Sequence, residues 1–330
     1  AAKAFFPLDQ RWKLGASQYS DRLSQQIVWL SGLLPYEQAR QVMDRVGGRT
    51  ISATNLWRET QQRGAELQAV MEQRQAAVRP EQIVPTNARQ DHHHPKGISI
   101  DGGMAHVRGE GWKEFKTGVV YDIGVRPGQD VLTGEPDDLP CAEHSHYTAI
   151  LGDVACFAPA MWELAAAHDL LSAAQTSVTA DGAEWIWNLS TDLFPDSVQI
   201  VDWYHATQHL AQAAQALFPE AEPQAKTWYR QARDLLFRGQ VWRIIQTLHQ
   251  AELPGLAHYF ERHQRRMCYH QFREEGRLIG SGTVESAIKQ FKARLCGPGM
   301  RWSRPRLQRM MVIRSAVMSG DFETLWAAAA

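Results

Sequence analysis

Apolar positions follow three regimes along the chain: helical spacing up to residue 75, short β-branched runs from Gly97 to His205, and helical spacing again from 206 onward. In the first regime Leu23, Ile27, Val28, Leu30 and Leu33 form a stripe within Ser17–Leu34. Pro35 opens a second helix, Tyr36–Val46, which Gly47-Gly48 closes, and Ser52 is placed to cap a third helix through Leu56, Trp57 and Thr60. Helix, glycine turn and capped helix is the outline of a helix-turn-helix, which serves either to contact DNA or only to pack and dimerise. Residues 76–96 lose the pattern: Pro80, Pro85 and Pro95 punctuate a polar run ending Asp91-His92-His93-His94-Pro95, the composition of a linker. Neighbouring residues of an extended segment point to opposite sides, so the three histidines read as a solvated hinge and not as a metal site.

The middle regime predicts strands at Ile98–Asp101, Lys116–Ile123 and Tyr147–Leu151, with a polar, acidic loop around Gly134–His146 before the last of them. A helix over Ala160–Ala174 follows, then strands at Ser177–Ala180 and Val198–Val201. Residues 206–275 are helical, interrupted at Pro219, Pro223 and Pro254, and Gly276–Arg314 reads as a long helix with a basic tail. Three strands, a helix, a strand, a connection and a strand is the order of an RNase H-like domain, an α/β fold with helices on both faces of a mixed sheet. The expected organisation is a helical region (1–75), a linker (76–96), the first part of an RNase H-like core (97–205), an all-helical insertion (206–275) and the last part of the core (276–330).

The candidate chemistry is acidic. Asp101 ends the first expected strand in Ser99-Ile100-Asp101-Gly102-Gly103, and Asp181 ends the fourth in Thr179-Ala180-Asp181-Gly182. Strands one and four are neighbours in this fold, so the two carboxylates meet at one sheet edge. Glu285 lies at the start of a helix in Gly280–Ala287, with Ser281 or Thr283 as its cap. Taken singly, each acid has an ordinary structural explanation: aspartate before glycine is a common turn pair, and an acid in a first helical turn complements the dipole. Taken together, three convergent carboxylates repel one another unless a divalent cation sits between them, and hard oxygen ligands favour Mg2+ (or Mn2+). Asp202, ending the fifth strand in Val201-Asp202-Trp203-Tyr204-His205, is an alternative to Asp181 as metal ligand, and with His205 it is otherwise expected to support the site.

Charge changes the picture only locally. The net charge is −1, yet Arg277 to Arg314 carries nine cations against the single acid Glu285. Lys289 and Lys292 share a helix face with Glu285, and Arg294, Arg301 and Arg304 follow; these are candidate phosphate contacts beside the metal. Trp302 either stacks on an unpaired base or packs the last helix onto the sheet. Cys141, Cys156, Cys268 and Cys296 are scattered without a CxxC pair, which argues against a disulfide frame or a zinc site. No apolar run approaches the ~20 residues of a membrane span, so no membrane partner is expected.

The stretches Ser99–Gly103, Asp181-Gly182-Ala183-Glu184-Trp185-Ile186-Trp187, Asp202-Trp203-Tyr204-His205, Gly280–Ala287 and Gly299-Met300-Arg301-Trp302-Ser303 together resemble bacterial DDE transposases of the ISKra-type insertion sequences, in the mutator-like clan. The resemblance covers nearly the whole chain. It implies an RNase H-like catalytic core, interrupted by a helical insertion before the third acid, with Asp101, Asp181 and Glu285 as catalytic metal ligands. It also implies metal-dependent cleavage at transposon-end DNA and 3′-OH strand transfer into target DNA, by a homo-oligomer in the bacterial cytoplasm, associated with the nucleoid. In mutator-like relatives the second aspartate precedes a Cys/Asp-x-x-His element, which Asp202-Trp203-Tyr204-His205 matches. Family members often carry a cysteine-rich zinc segment ahead of a Phe-Phe-Pro-Leu-Asp stretch, found here as Phe5–Asp9 almost at the start. A truncated copy is therefore one expectation, and a truncated or domesticated DNA-binding protein that no longer cuts is a rival to the transposase. Another RNase H-like, structure-selective nuclease is a second rival.

Overall fold

The computed structural model describes residues 19–78, 94–130 and 132–329. The Phe5–Asp9 stretch, most of the expected linker and His92-His93 lie outside the described residues.

The protein is α/β, built on one five-stranded mixed sheet in the order β3-β2-β1-β4-β5. Strands β1 (Lys96–Val107), β2 (Gly111–Gln129) and β3 (Pro136–Leu151) form an antiparallel meander, and β4 (Thr176–Ala180) and β5 (Val198–Val201) add to β1 in parallel. All five residues of β4 are buried, as expected for a strand with neighbours on both sides and helices on both faces. Period-two alternation divides β1. Ile98 and Ile100 face a core containing Phe157 and Met161, whereas Ser99 faces the opposite side, 3.2 Å from the Tyr121 hydroxyl. Gly97 lies against the Tyr121 ring, which occupies the space a Cβ would need.

Among the described residues three helices come first, α1 (Asp21–Leu33), α2 (Tyr36–Arg45) and α3 (Ala53–Ala77). Ser52 caps α3 by accepting from the Asn55 N–H at 3.2 Å. The first face of the sheet is covered by α4 (Val154–Ala167) and α5 (Glu184–Leu193). A run of helices follows β5: α6 (Trp203–Leu217), α7 (Glu222–Phe237), α8 (Val241–Gln250), α9 (Pro254–His263) and the short α10 (Tyr269–Glu274). The chain then returns to the second face of the sheet through α11 (Gly282–Leu295), α12 (Arg304–Ser319) and α13 (Phe322–Ala329). Val284 and Ala287 of α11 pack on Val119 and Tyr121, while Phe291 and Leu295 meet Ala105, Phe115 and Met310. Val28 of α1 and Leu67 of α3 pack on Ile313 of α12 and on Phe322 and Trp326 of α13, so the first helices rest on the last ones. Within the expected helix-turn-helix region, α1 and α3 thus supply packing surface.

Several boundaries differ from the sequence reading, and β2 extends beyond the expected Lys116–Ile123 at both ends. Strand β1 does not end at Asp101 but runs on to Val107, paired throughout with β2. The expected loop at Gly134–His146 is mostly strand: Pro136–Glu143 pairs with β2 in a ribbon with many exposed positions, so it carries no apolar alternation to betray it. The helix expected over Ala160–Ala174 starts at Val154, capped by Asp153, and ends at Ala167. The long C-terminal helix is α11 and α12, broken between them at Gly297-Pro298-Gly299.

Candidate active site

The parallel ladder sets the aspartates level. Ser99 of β1 is opposite Thr179 of β4, and Ala180 is opposite Val201 of β5. Carrying that register onward puts Asp101 level with Asp181, and Asp181 level with Asp202. Asp101 and Asp181 each lie two residues beyond a residue facing the α11 side: Ser99 meets Tyr121, and the Thr179 hydroxyl donates to the Leu278 carbonyl at 3.1 Å. Period two therefore turns both carboxylates to the sheet face that carries α11. The ladder gains one more bond, Asp202 N–H to Ala180 O at 2.8 Å, and β4 then turns away at Gly182, whose φ of 108° suits glycine.

Glu285 reaches the same edge by a different route. Residues 278–281 lie along the ends of β4 and β5, with Trp203 N–H bonded to Ile279 O at 2.9 Å and Ser281 N–H donating to Asp202 Oδ2. This anchors the start of α11 over the three strand ends, and Glu285 stands in its first turn. Ser281 is the N-cap residue, although its side chain makes no cap bond. Ligand atoms of Asp202, His205 and Glu285 lie within 4.8 Å of one another. Asp101 and Asp181 stand close enough for their charges to act on the same group.

Electrostatics separate the roles of these acids. Burial, and then the charges of Asp181 and Glu285, push the Asp101 carboxyl up to about 6 against the opposing pull of the Gly102 N–H and His205. Asp202 is fully buried, yet the bonds from the His205 side chain and from the Ser281 and His205 N–H groups outweigh that burial and hold its carboxyl below the usual range. Its Oδ1 accepts from His205 N–H at 2.8 Å and sits 3.1 Å from His205 Nδ1, while its Oδ2 takes Ser281. Asp202 is thus occupied in holding His205 and the Glu285 helix. The hydrogen bond to Asp202, opposed by burial, raises His205, and the charges of Asp181 and Glu285 add to it. Asp181 accepts from Ala183 N–H at 2.9 Å in the turn that follows β4.

The raised Asp101 has a consequence for stability. Its native value, about 6, exceeds the ordinary 3.8, so between those pH values the folded chain holds a proton that the unfolded chain releases. Stability from this group is therefore present below 3.8, falls as pH rises through the window, and is lost above about 6. The shift caps the cost near ~3 kcal/mol, and partial exposure trims it to about 1–2 kcal/mol. Metal-free Asp101→Asn is expected to melt higher than wild type at pH 7.5 and to converge with it at pH 4. Equal melting temperatures at pH 7.5 would show that Asp101 is not held among like charges.

One wall of the site had no signal in the sequence. Helix α9 lies over the Asp181-Gly182 turn, where Tyr259 and His263 approach Gly182 and the Tyr259 ring stacks on His209 at 3.6 Å. Burial, together with the charges of Asp181 and Asp202, pushes the Tyr259 phenol up. Residues so far along the chain, in a segment legible only as helical, carry no motif linking them to the aspartates.

The basic tail is smaller than its composition suggests. Arg294 is 1% exposed, donates to Ser31 O at 2.7 Å and stacks on Tyr36 and Trp302, so it is a core cation and is closed to phosphate. Trp302 is buried, with its indole N–H on Leu295 O at 2.8 Å, and is no base-stacking platform. Both DNA assignments are corrected: local pattern could not show that α1 covers Arg294 or that Trp302 fills the space between the sheet and the last helices. Arg304 forks onto Glu110, Arg306 lies over Trp57, and Arg314 is buried with a bond to Gly32 O. Lys289, 3.8 Å from Glu285, is exposed, as are Lys292 and Arg301.

No protein-family model matches the chain, and no curated protein matches it. Among the described residues no helix is long and apolar enough to cross a membrane.

Proposed function

We propose that the protein is a DDE-type transposase whose RNase H-like core cleaves a phosphodiester at the end of a DNA element and joins the freed 3′-OH to target DNA, acting as a homo-oligomer. The observation that carries this reading is the level placement of Asp101 and Asp181, on and just beyond neighbouring parallel strands, under a helix whose first turn carries Glu285. The donor set fits a hard divalent cation. Its members are carboxylate oxygens, and burial and then the charges of Asp181 and Glu285 raise Asp101, a cost a bound cation would offset. Asp101, Asp181 and Glu285 would hold Mg2+ or Mn2+, and such an ion supplies activation of the attacking oxygen and stabilisation of the leaving one. Asp202 positions: it fixes the start of α11, and with it Glu285, and it aims His205. The bond to Asp202 raises His205, and in its protonated form the imidazole would set a positive charge among the carboxylates and limit their mutual repulsion.

His205→Ala is expected to lower cleavage by ~10–100-fold, the usual loss for a residue that orients ligands, with a change in the metal concentration required. Unchanged cleavage at unchanged metal requirement would remove His205 from the site. The reading as a whole is tested by incubating the protein with duplex carrying the ends of its own element, a supercoiled plasmid and Mg2+. Nicking at the end, followed by joining of that 3′ end to the plasmid, is expected. Nicking without joining would favour a structure-selective nuclease, and binding without divalent-dependent nicking would favour a DNA-binding protein that does not cut.

A further inference from the structure

We propose that His146, His168 and Asp321 form a second metal site, for a borderline transition-metal dication such as Zn2+, that clamps the C-terminal helices to the edge of the sheet. The site shares no residue with the acidic centre and does not rest on the proposed function. His146 is on β3, His168 follows the end of α4, and Asp321 joins α12 to α13. Asp321 is 175 residues from His146 in sequence, so only the fold brings the three together.

Their ligand atoms converge. His146 Nδ1 is 2.9 Å and His168 Nε2 is 3.5 Å from the same oxygen, Asp321 Oδ2, and the ligand atoms of all three lie within 4.8 Å of one another. Zn–N and Zn–O bonds of about 2.0–2.1 Å in a tetrahedron place ligand atoms roughly 3.3–3.5 Å apart. The two imidazoles stack with centroids 3.5 Å apart and planes 18° from parallel, so one ring turns about its Cβ–Cγ bond to bring both in-plane lone pairs onto a shared ion.

The surroundings favour a bound cation. Asp321 is held from its own backbone, with its N–H on Ala316 O and its carbonyl accepting from Leu325 N–H, each at 3.0 Å. A cavity of about 190 Å³, lined by Lys96, Asp122, His144, His146, His168 and Asp169, borders the two histidines and has room for a water as fourth ligand. Lys96, the cation nearest this cavity, is already paired with Asp122, which His144 also contacts. On the other side Glu163 and Arg74 line a second cavity with Asp321 and His168. Two imidazoles and one carboxylate suit Zn2+ or Co2+ better than Mg2+, which prefers an all-oxygen shell.

The test uses full-length, metal-free protein carrying Asp101→Asn and Glu285→Gln, so that the acidic centre takes no part. Co2+ added to it is expected to bind at one equivalent with the visible bands of a tetrahedral ion, to be displaced by Zn2+, and to raise the melting temperature. In His168→Gln and in Asp321→Asn on that background the affinity should fall at least about 100-fold, beyond what loss of a merely orienting group produces. No tetrahedral Co2+ bands in the parent, or equal affinity in His168→Gln, would overturn the site. Should His168→Gln fail to fold, His146→Gln and the parent spectrum still decide it. No readout depends on DNA cleavage, so failure here and failure of the transposase reading are distinguishable.

Discussion

Asp101→Asn and Glu285→Gln are each expected to abolish divalent-dependent strand cleavage, with losses on the order of 10³-fold or more, while DNA binding stays intact or tightens. Each substitution removes one negative charge and one oxygen ligand from a group that would hold the ion, and metal assistance is worth several kcal/mol at about 1.4 kcal/mol per tenfold. Binding is expected to move the other way because carboxylates close to a phosphate repel it. Asp101→Asn carries a second signature, the higher metal-free melting temperature at neutral pH, since burial and the charges of Asp181 and Glu285 penalise its ionised form. A gain in stability coupled to a loss of cleavage is what a group held for chemistry and not for folding should show. Asp202→Asn separates the two candidate second aspartates. Asp202 holds Ser281 and His205, so its loss should lower melting temperature along with activity, whereas Asp181→Asn should cost activity with little change in stability. Cleavage at near wild-type rate in either Asp101→Asn or Glu285→Gln would end the three-acid mechanism.

The parts of this arrangement legible in the sequence were those written in local pattern. Ile98-Ser99-Ile100 and Ser177–Ala180 read as strands because β-branched residues alternate or run together there, and the aspartates after them followed from strand order. The cap at Ser52 and the packing stripe of α1 were likewise local signals. What failed to show was decided by partners distant in sequence. The Pro136–Glu143 strand sits in a ribbon with many polar, exposed positions and pairs only with its neighbour. Arg294 looked like one more cation on a basic helix, because nothing near it announces that Ser31 and Tyr36 cover it. His146 and His168 drew no attention for the same reason: their meeting with Asp321 is a product of tertiary packing.

Trp302→Ala and Lys292→Ala should fail in opposite ways, and the contrast separates the core from the DNA surface. Trp302 forms the bridge from the α11–α12 connection back to β1: its N–H bonds His106 O at 3.2 Å, and its carbonyl accepts from Arg108 N–H at 2.7 Å. Its indole fills the space among Ala105, Phe115 and Leu307 and lies under the Arg294 guanidinium, 5.4 Å from the ring centroid. Truncation leaves a cavity and strips a buried cation of one aromatic partner, while the backbone bonds remain. A large-to-small change at such a position costs about 3–5 kcal/mol, enough to lower the melting temperature by about 4–7 °C. The salt dependence of DNA binding should not move. Lys292, exposed on α11 two turns beyond Glu285, is expected to leave the melting temperature unchanged and to reduce the slope of log K against log salt by about 0.9 on duplex DNA. Because a phosphate contact carries little base information, specific and non-specific DNA should lose affinity together. An unaltered salt slope for Lys292→Ala would detach this face of α11 from the DNA path. A Trp302→Ala protein that melts normally but binds single-stranded ends more weakly would return the indole to the DNA, against its burial in this fold.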